Sequence, residues 1–421
     1  MRRFHPKPDQ PGRVRPYTKN MIETPWWLSL LLGRKVSPTE SRYEALVSAL
    51  SQGDQPMDAV ARKMLANPEI RQDWNMALQN GGSATSNAPG EIKRLFAELA
   101  NDPPWLDRAL LKEGVLATHR GGTALPLVLR NYALMGGYLL TGFNRTLIMT
   151  GELTKGVLPR MIRTSRWWLD CTALGGLQPF ATGFKSTLQV RLVHSMVRLQ
   201  LEQNPEWDHL RWGTPINQAD LLATYLAFAV VPLIGMRALG VPVSPSESRA
   251  IMHLWKYIGW LIGVDEKWLV DSELAAAELL LQTFATQSPP DWTSEALGSA
   301  LARAPLELEL PWRHEKPLTH FLLRHWLYHM HLSTNRWFLS SRQMKELGLS
   351  ARVVPWFPAL SFAPRFAWQA GCRLTKAGRM NLARQGRVAQ LRLMGISEKL
   401  EPDAKPHQPM KAETSIVAES T

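Results

Sequence analysis

Between residues 41 and 102, apolar positions recur every three or four residues in four successive stretches: SRYEALVSALSQ, MDAVARKMLAN, EIRQDWNMALQ and EIKRLFAELAND. Each opens near an acidic, Ser, Thr or Asn residue able to cap a helix, and the period is that of an amphipathic α-helix. Helical periodicity continues downstream and strand-like alternation is scarce, which predicts an all-α chain. Thirty prolines fall between strongly apolar segments, as in WGTPINQAD and GVPVSPSESRA, where they end helices rather than mark disorder. An irregular multi-helix globule with many short loops follows. The stretch GGSATSNAPGE, Gly81 to Glu91, is the best linker candidate between a small N-terminal helical region and the main body, and with the helix that follows it counted in the first, the two are bounded at 21–100 and 101–347. A basic helical region at 348–395 comes next. Residues 1–20, basic and proline-rich, read as an extended arm, and 396–421, polar and without Phe, Trp or Tyr, as a disordered tail. Neither end is expected to carry chemistry.

The longest uncharged apolar run, LLATYLAFAVVPLIGM from Leu221 to Met236, is interrupted by Pro232. It is shorter than the roughly 18 to 20 residues a membrane-spanning helix needs, and reads as a buried core helix. No apolar stretch follows the N-terminal arginines, so no secretory signal is seen and a soluble, cytoplasmic protein is expected. Hydrophobic residues at 45% and charged ones at 20% exclude disordered and fibrous classes. Two cysteines, Cys171 and Cys372, are too few for a disulfide framework and lack CxxC spacing. The net charge of +13 concentrates near the ends, +5 in residues 1–20 and +6 in 371–395, which argues against a folded nucleic-acid-reading surface. The segment from Arg373 to Gly395 is either a basic amphipathic helix touching an anionic membrane or a partner, or simply a solvated helix face.

No GxGxxG follows a strand, and P-loop, HExxH and GxSxG patterns are absent, so nucleotide, zincin and α/β-hydrolase chemistries lose their support. In KSTLQVRLVHSMVRLQL, Thr187, Val190, His194, Val197 and Leu201 step by three and four, which sets His194 in an apolar stripe with its ring toward the interior. Such a histidine is either a hydrogen-bonded core residue or a ligand to a metal or haem iron. Arg191 and Arg198 lie on the same side of the helix, positioned for the carboxylates of a bound haem or as solvated flanks. Upstream, LTKGVLPRMIRTSRWWLD puts Pro159 in the first turn of a helix, Arg160 and Thr164 one turn apart on one face, and Arg163 beside them. Glu152, the one carboxylate between Glu113 and Asp170, is a candidate general base or an acid near a helix start. Cys171 reads as a buried apolar side chain. His325 and His329, one turn apart with His320 and His331 nearby, have chelating spacing but no helix carboxylate, so packing or surface roles are the plainer reading.

The run VRLVHSMVR, with RMIRTSRWW and FATGF before it, resembles the catalytic domain of latex-clearing rubber oxygenases and the wider oxygenase family typed by a fungal endoplasmic-reticulum-bound enzyme. The stretch from WGTPINQAD to GWLIGV is similar to that family's second block, through Gly213, Pro215, Asp220, Thr224 and Phe228, then His253, Trp255 and Gly259. The resemblance, over roughly residues 100–347, implies a globin-like core holding haem b, with His194 as the proximal iron ligand and Arg160 and Thr164 on the oxygen-binding side. It further implies an oxygenase or dioxygenase that activates O₂ against a hydrophobic isoprenoid or lipid substrate. Rubber itself fits poorly with a chain expected to stay inside the cell. Two positions depart from the family pattern. Arg163 stands where a lysine can cap the iron, and a guanidinium does not readily lose its proton. Asn144 stands where the catalytic glutamate is expected, leaving Glu152 as the nearest candidate. These departures favour, as an alternative, a haem sensor or carrier without turnover; charge placement alone favours a helical membrane- or partner-binding protein.

Overall fold

The capping residues read from the sequence start helices in the computed structural model, which describes residues 11–18, 22–81, 88–308 and 316–393. The Thr39 side chain accepts the Arg42 N–H at the head of Glu40–Ala49, and Asp54 accepts that of Met57 at the head of Gln55–Ala66. The other two early stretches form the helices Ile70–Asn80 and Gly90–Leu99. Ser244 and Glu247 close a reciprocal capping box that opens Pro245–Leu261. Every regular element among the described residues is helical, so the fold is the all-α, multi-helix globule that the periodicity predicts. The tail 396–421 and the middle of the linker, 82–87, lie outside the described residues.

Arg108–Arg120 runs through the centre, crossed by Pro245–Leu261 on one side and Lys376–Leu393 on another. A Cβ on Gly114 would lie 2.3 Å from the Ala250 carbonyl oxygen, and one on Gly386 would lie 1.9 Å from that of His119. Only glycine permits backbones to approach this closely. Leu382, Ala383, Gly386, Arg387 and Gln390 are buried in the second crossing, and Arg373 pairs with Glu247 at 2.6 Å. The basic segment from Arg373 to Leu393 is therefore docked on the body by one face, while Lys376, Arg384 and Arg392 stay exposed on the other. That is the solvated helix face the sequence allowed, and no membrane or partner contact through this segment is supported.

The apolar run around Leu221 becomes two abutting helices, Gln218–Ala229 and Val231–Ala238, with Pro232 in the first turn of the second. Their flanks extend the run to 21 residues, long and apolar enough to cross a membrane, but 78% of its most apolar window is buried inside the protein. It is a core element here.

Helices on both sides of the linker candidate share one continuous core. Trp74, Phe96 and Phe180 pack in series at ring separations of 5.3 and 6.4 Å. Residues 11–18 are extended and tied down: the Gly12 N–H donates to the Leu210 carbonyl at 2.7 Å and that of Arg15 to Ala285 at 2.9 Å. Arg13 is buried, donating to Asp220 Oδ2 at 2.9 Å and to the Thr286 carbonyl at 2.9 Å.

Candidate active site

The candidate site is built on two adjacent helices, Val157–Cys171 and Thr182–Glu202, joined by a short connection. Trp167 Nε1 donates to Thr187 Oγ1 at 3.0 Å, and Cys171 Sγ lies 3.2 Å from the same hydroxyl and 3.8 Å from the Gly183 carbonyl. These contacts fix an antiparallel register in which each residue back along the first helix is level with one residue forward along the second. Trp167 also packs edge-on against Phe228 and Trp255, at 5.4 and 6.1 Å, forming an aromatic wall at the base of the pair. Cys171 is fully buried, and burial pushes its thiol well above the ordinary range, as suits an inert apolar side chain.

His194 is closely surrounded by protein, with part of its surface still accessible. Neither ring nitrogen has a hydrogen-bond partner among the described residues, and Nδ1 is sealed off. Burial, assisted by Arg198 and opposed by Asp54, pulls its pKa down to about 4. The imidazole is thus neutral at physiological pH and has a lone pair engaged by nothing in the protein, the state a metal ligand requires. This departs from the hydrogen-bonded core histidine that the sequence also allowed.

The two neighbouring arginines do not stand free. Arg191 makes a two-pronged pair with Asp54 at 2.6 and 2.9 Å. Arg198 pairs with Asp58 and donates to Ser195 Oγ at 3.1 Å and to the Pro215 and Ile216 carbonyls at 3.1 and 2.8 Å. Both guanidinium groups are buried. The assignment of Arg191 and Arg198 to the carboxylates of a cofactor is corrected by this geometry: they spend their donors anchoring the Gln55–Ala66 helix, and neither is a solvated flank.

On the facing helix, Arg160 turns its guanidinium over the Tyr138 ring, 5.6 Å from the centroid, and donates to the Tyr138 hydroxyl. Thr164 shares that helix side but is exposed, so of the two only Arg160 is tied into the protein. Arg163 is exposed and pairs with Glu152 at 3.2 Å. The Glu152 carboxylate is thus occupied by an ion pair rather than standing free as the general base the sequence allowed. Asn144 is fully buried; its Nδ2 donates to the Tyr138 carbonyl at 2.7 Å and its Oδ1 has no partner.

The sequence reading missed Arg130. It is enclosed by protein, donates to the Leu301 carbonyl at 2.7 Å and to Asn131 Oδ1 at 2.9 Å, and pairs with no carboxylate among the described residues. Burial lowers its pKa to about 9, with Tyr138 opposing. It sits on a wide, π-type turn, Leu129–Leu134, a departure from α-geometry that is frequent at functional sites. Its signal was available: it is the one charge in the apolar run ALPLVLRNYALMGGYLL. The histidine group does not converge. His320 is buried, His325 bonds its own helix at the Phe321 carbonyl, His329 is exposed, and His331 faces Asn131 at 3.0 Å. No group of three or more His, Cys, Asp or Glu among the described residues is placed to hold a metal ion. The two best-formed cavities, about 340 Å³ beside Arg108 and Leu177 and about 270 Å³ between Val241 and Phe366, do not reach His194.

Residues 122–377 match the family described as ER-bound oxygenase mpaB/B′/rubber oxygenase, catalytic domain, a stretch that starts and ends later than the body outlined from the sequence. The rubber oxygenase of Streptomyces sp. (strain K30) is 24% identical over 238 residues, 55% of this chain and 57% of that protein, so the chain matches little more than half the length of that relative. The solved structure of latex clearing protein LCP in the closed state superposes with a TM-score of 0.55 at 19% identity, covering 83% of this chain and 92% of the other, a likeness of fold. With the family match spanning more than half of its residues, the chain belongs to the ER-bound oxygenase mpaB/B′ and rubber oxygenase catalytic-domain family.

Proposed function

We propose that the protein is an oxygenase that holds haem b through His194 and acts with O₂ on a hydrophobic substrate of the isoprenoid or lipid class. The observation that carries this reading is the neutral imidazole of His194, whose Nδ1 is sealed off and whose Nε2, without a hydrogen-bond partner among the described residues, is the nitrogen left to take a ligand bond. Bound haem supplies an iron centre able to activate O₂. The chain's own part is positional. Thr187, fixed by Trp167, holds the register of the helix pair, and the Asp54 and Asp58 pairs lock the helix that carries His194 against rotation. Arg160, on the neighbouring helix, is a cation braced on Tyr138. The apolar flanks Val190 and Val197 and the wall of Trp167, Phe228 and Trp255 favour a greasy substrate over water.

A second reading, haem binding without turnover, is favoured by Asn144, which offers no ionisable base, and by the pairing of Glu152 with Arg163. Purified protein supplied with haem is expected to show a Soret band that His194→Ala removes or strongly weakens while the thermal transition persists. An unchanged spectrum in that variant refutes the ligand. Oxygen consumption with a polyisoprenoid or unsaturated lipid then separates the oxygenase from the carrier.

A further inference from the structure

Two helices on one side of the molecule present their apolar residues outward. Trp356–Arg373 buries only Pro358 and Gln369. Leu360, Trp368 and Leu374, at its C-terminal cap, are 72, 59 and 83% exposed, and Phe366 is 48% exposed. Together with Ala363, Pro364, Ala367 and Gly371 they make an outward face without a single charge, the reverse of an ordinary surface helix. The first turns of the adjoining Pro317–Phe338 do the same through Leu318, Phe321, Leu322 and Trp326, all close to half exposed or more. Trp326 meets Phe357 edge-on at 6.2 Å, so the two faces form one patch. Soluble proteins rarely leave a contiguous apolar surface of this kind unless something covers it.

Charge identifies the cover. Lys316, just before the first of these helices, is an exposed cation, and Glu346 is the one acid between residues 316 and 393. Arg352 and Lys376, both exposed, flank the two ends of the outward-facing helix. A second copy of the chain would bring like charge against like charge around the patch. A neutral polymer would leave the basic surround without purpose. A lipid bilayer with anionic headgroups satisfies both parts, with Trp rings at the headgroup level, Leu and Phe below it and guanidinium groups at the phosphates. Neither helix is among the stretches long and apolar enough to cross a membrane, so the face lies on the bilayer rather than spanning it.

We propose that the face formed by Trp356–Arg373 and the start of Pro317–Phe338 docks on the surface of an anionic lipid bilayer. This is a different surface from the docked basic helix that follows, and it does not depend on the haem reading. The test is flotation of the full chain with vesicles of phosphatidylcholine alone and of phosphatidylcholine mixed equally with phosphatidylglycerol. Binding is expected to the mixed vesicles, weaker binding to the neutral ones, and loss of the difference at high salt. Leu360→Glu with Trp368→Glu, and separately Leu374→Glu, change exposed positions and should leave the melting temperature in place while lowering the partition coefficient by about ten-fold or more for the pair. Absence of binding to the mixed vesicles overturns the proposal, as does binding unaltered in the variants. A dimer in solution that these substitutions dissociate, with no lipid binding, assigns the face to a second copy. Binding to the mixed vesicles seen only after removal of the residues beyond Leu393 makes that segment the resident cover of the face. Either result overturns docking of the full chain on a bilayer.

Discussion

Replacing Asp58 by alanine tests whether the arginines around His194 are structural. Asp58 and Arg198 have side chains only 6 and 1% exposed. Removing one partner of a buried pair typically costs about 3–5 kcal/mol, because the surviving charge is left desolvated. Arg198 would keep the Ser195 hydroxyl and the Pro215 and Ile216 carbonyls, so the expected cost lies near the lower end, about 3 kcal/mol. With an unfolding entropy of about 2.1 cal/mol/K per residue over 421 residues, that is a fall of roughly 3 °C in melting temperature if the chain melts as one unit. Calorimetry and urea titration of the haem-free chain measure it. The double replacement Asp58→Leu with Arg198→Met removes both charges and is expected to recover most of the loss, to within about 1 kcal/mol of the original. An Asp58→Ala protein as stable as its parent, paired with an Arg198→Met protein that differs only in haem content, would refute the assignment and return Arg198 to the cofactor.

Stability should also depend on pH through the buried histidines. His119 and His194 are held neutral, with pKa values brought down to about 3 and about 4 mainly by burial. Below about 6.5 the unfolded chain takes up protons that the folded one refuses, so stability falls as pH drops from about 6.5 toward 4, by on the order of 3 kcal/mol for His194 alone. The slope of unfolding free energy against pH in that window should decrease by about one proton in His194→Gln, and an unaltered slope contradicts the burial. Gly114→Ala should be among the most damaging single changes, since its Cβ would enter the Ala250 carbonyl; a loss of about 3 kcal/mol or more is expected in urea titration. A loss below about 1 kcal/mol would show that the helix crossing can open there.

Local pattern made the helices legible because capping and amphipathic period are properties of neighbouring residues, and Thr39, Asp54 and Ser244 begin helices accordingly. The inward setting of His194 was legible for the same reason. What faces a helix is not written in its own period. Arg191 and Arg198 share a side, but their partners Asp54 and Asp58 lie 137 and 140 positions earlier, across a glycine-rich stretch that reads as a domain boundary. The shared core makes that boundary unimportant for packing. Arg130 belongs to no cluster and no spacing pattern, and its one mark in the sequence is that it stands as a solitary charge in an apolar run. Arg13 escaped because an aperiodic, proline-rich segment gives no sign of which of its cations is buried.

That last residue has a consequence for biosynthesis. The guanidinium of Arg13 meets acceptors at Trp212, Asp220 and Thr286, which lie 199 to 273 positions further along the chain. At translation rates of about 5–20 residues per second, the segment waits roughly fourteen to fifty-five seconds after its own synthesis before the last acceptor exists. Until residue 286 has been made, the Arg13 guanidinium lacks part of its set of acceptors, so the segment that carries it is among the last parts of the body to settle on the ribosome.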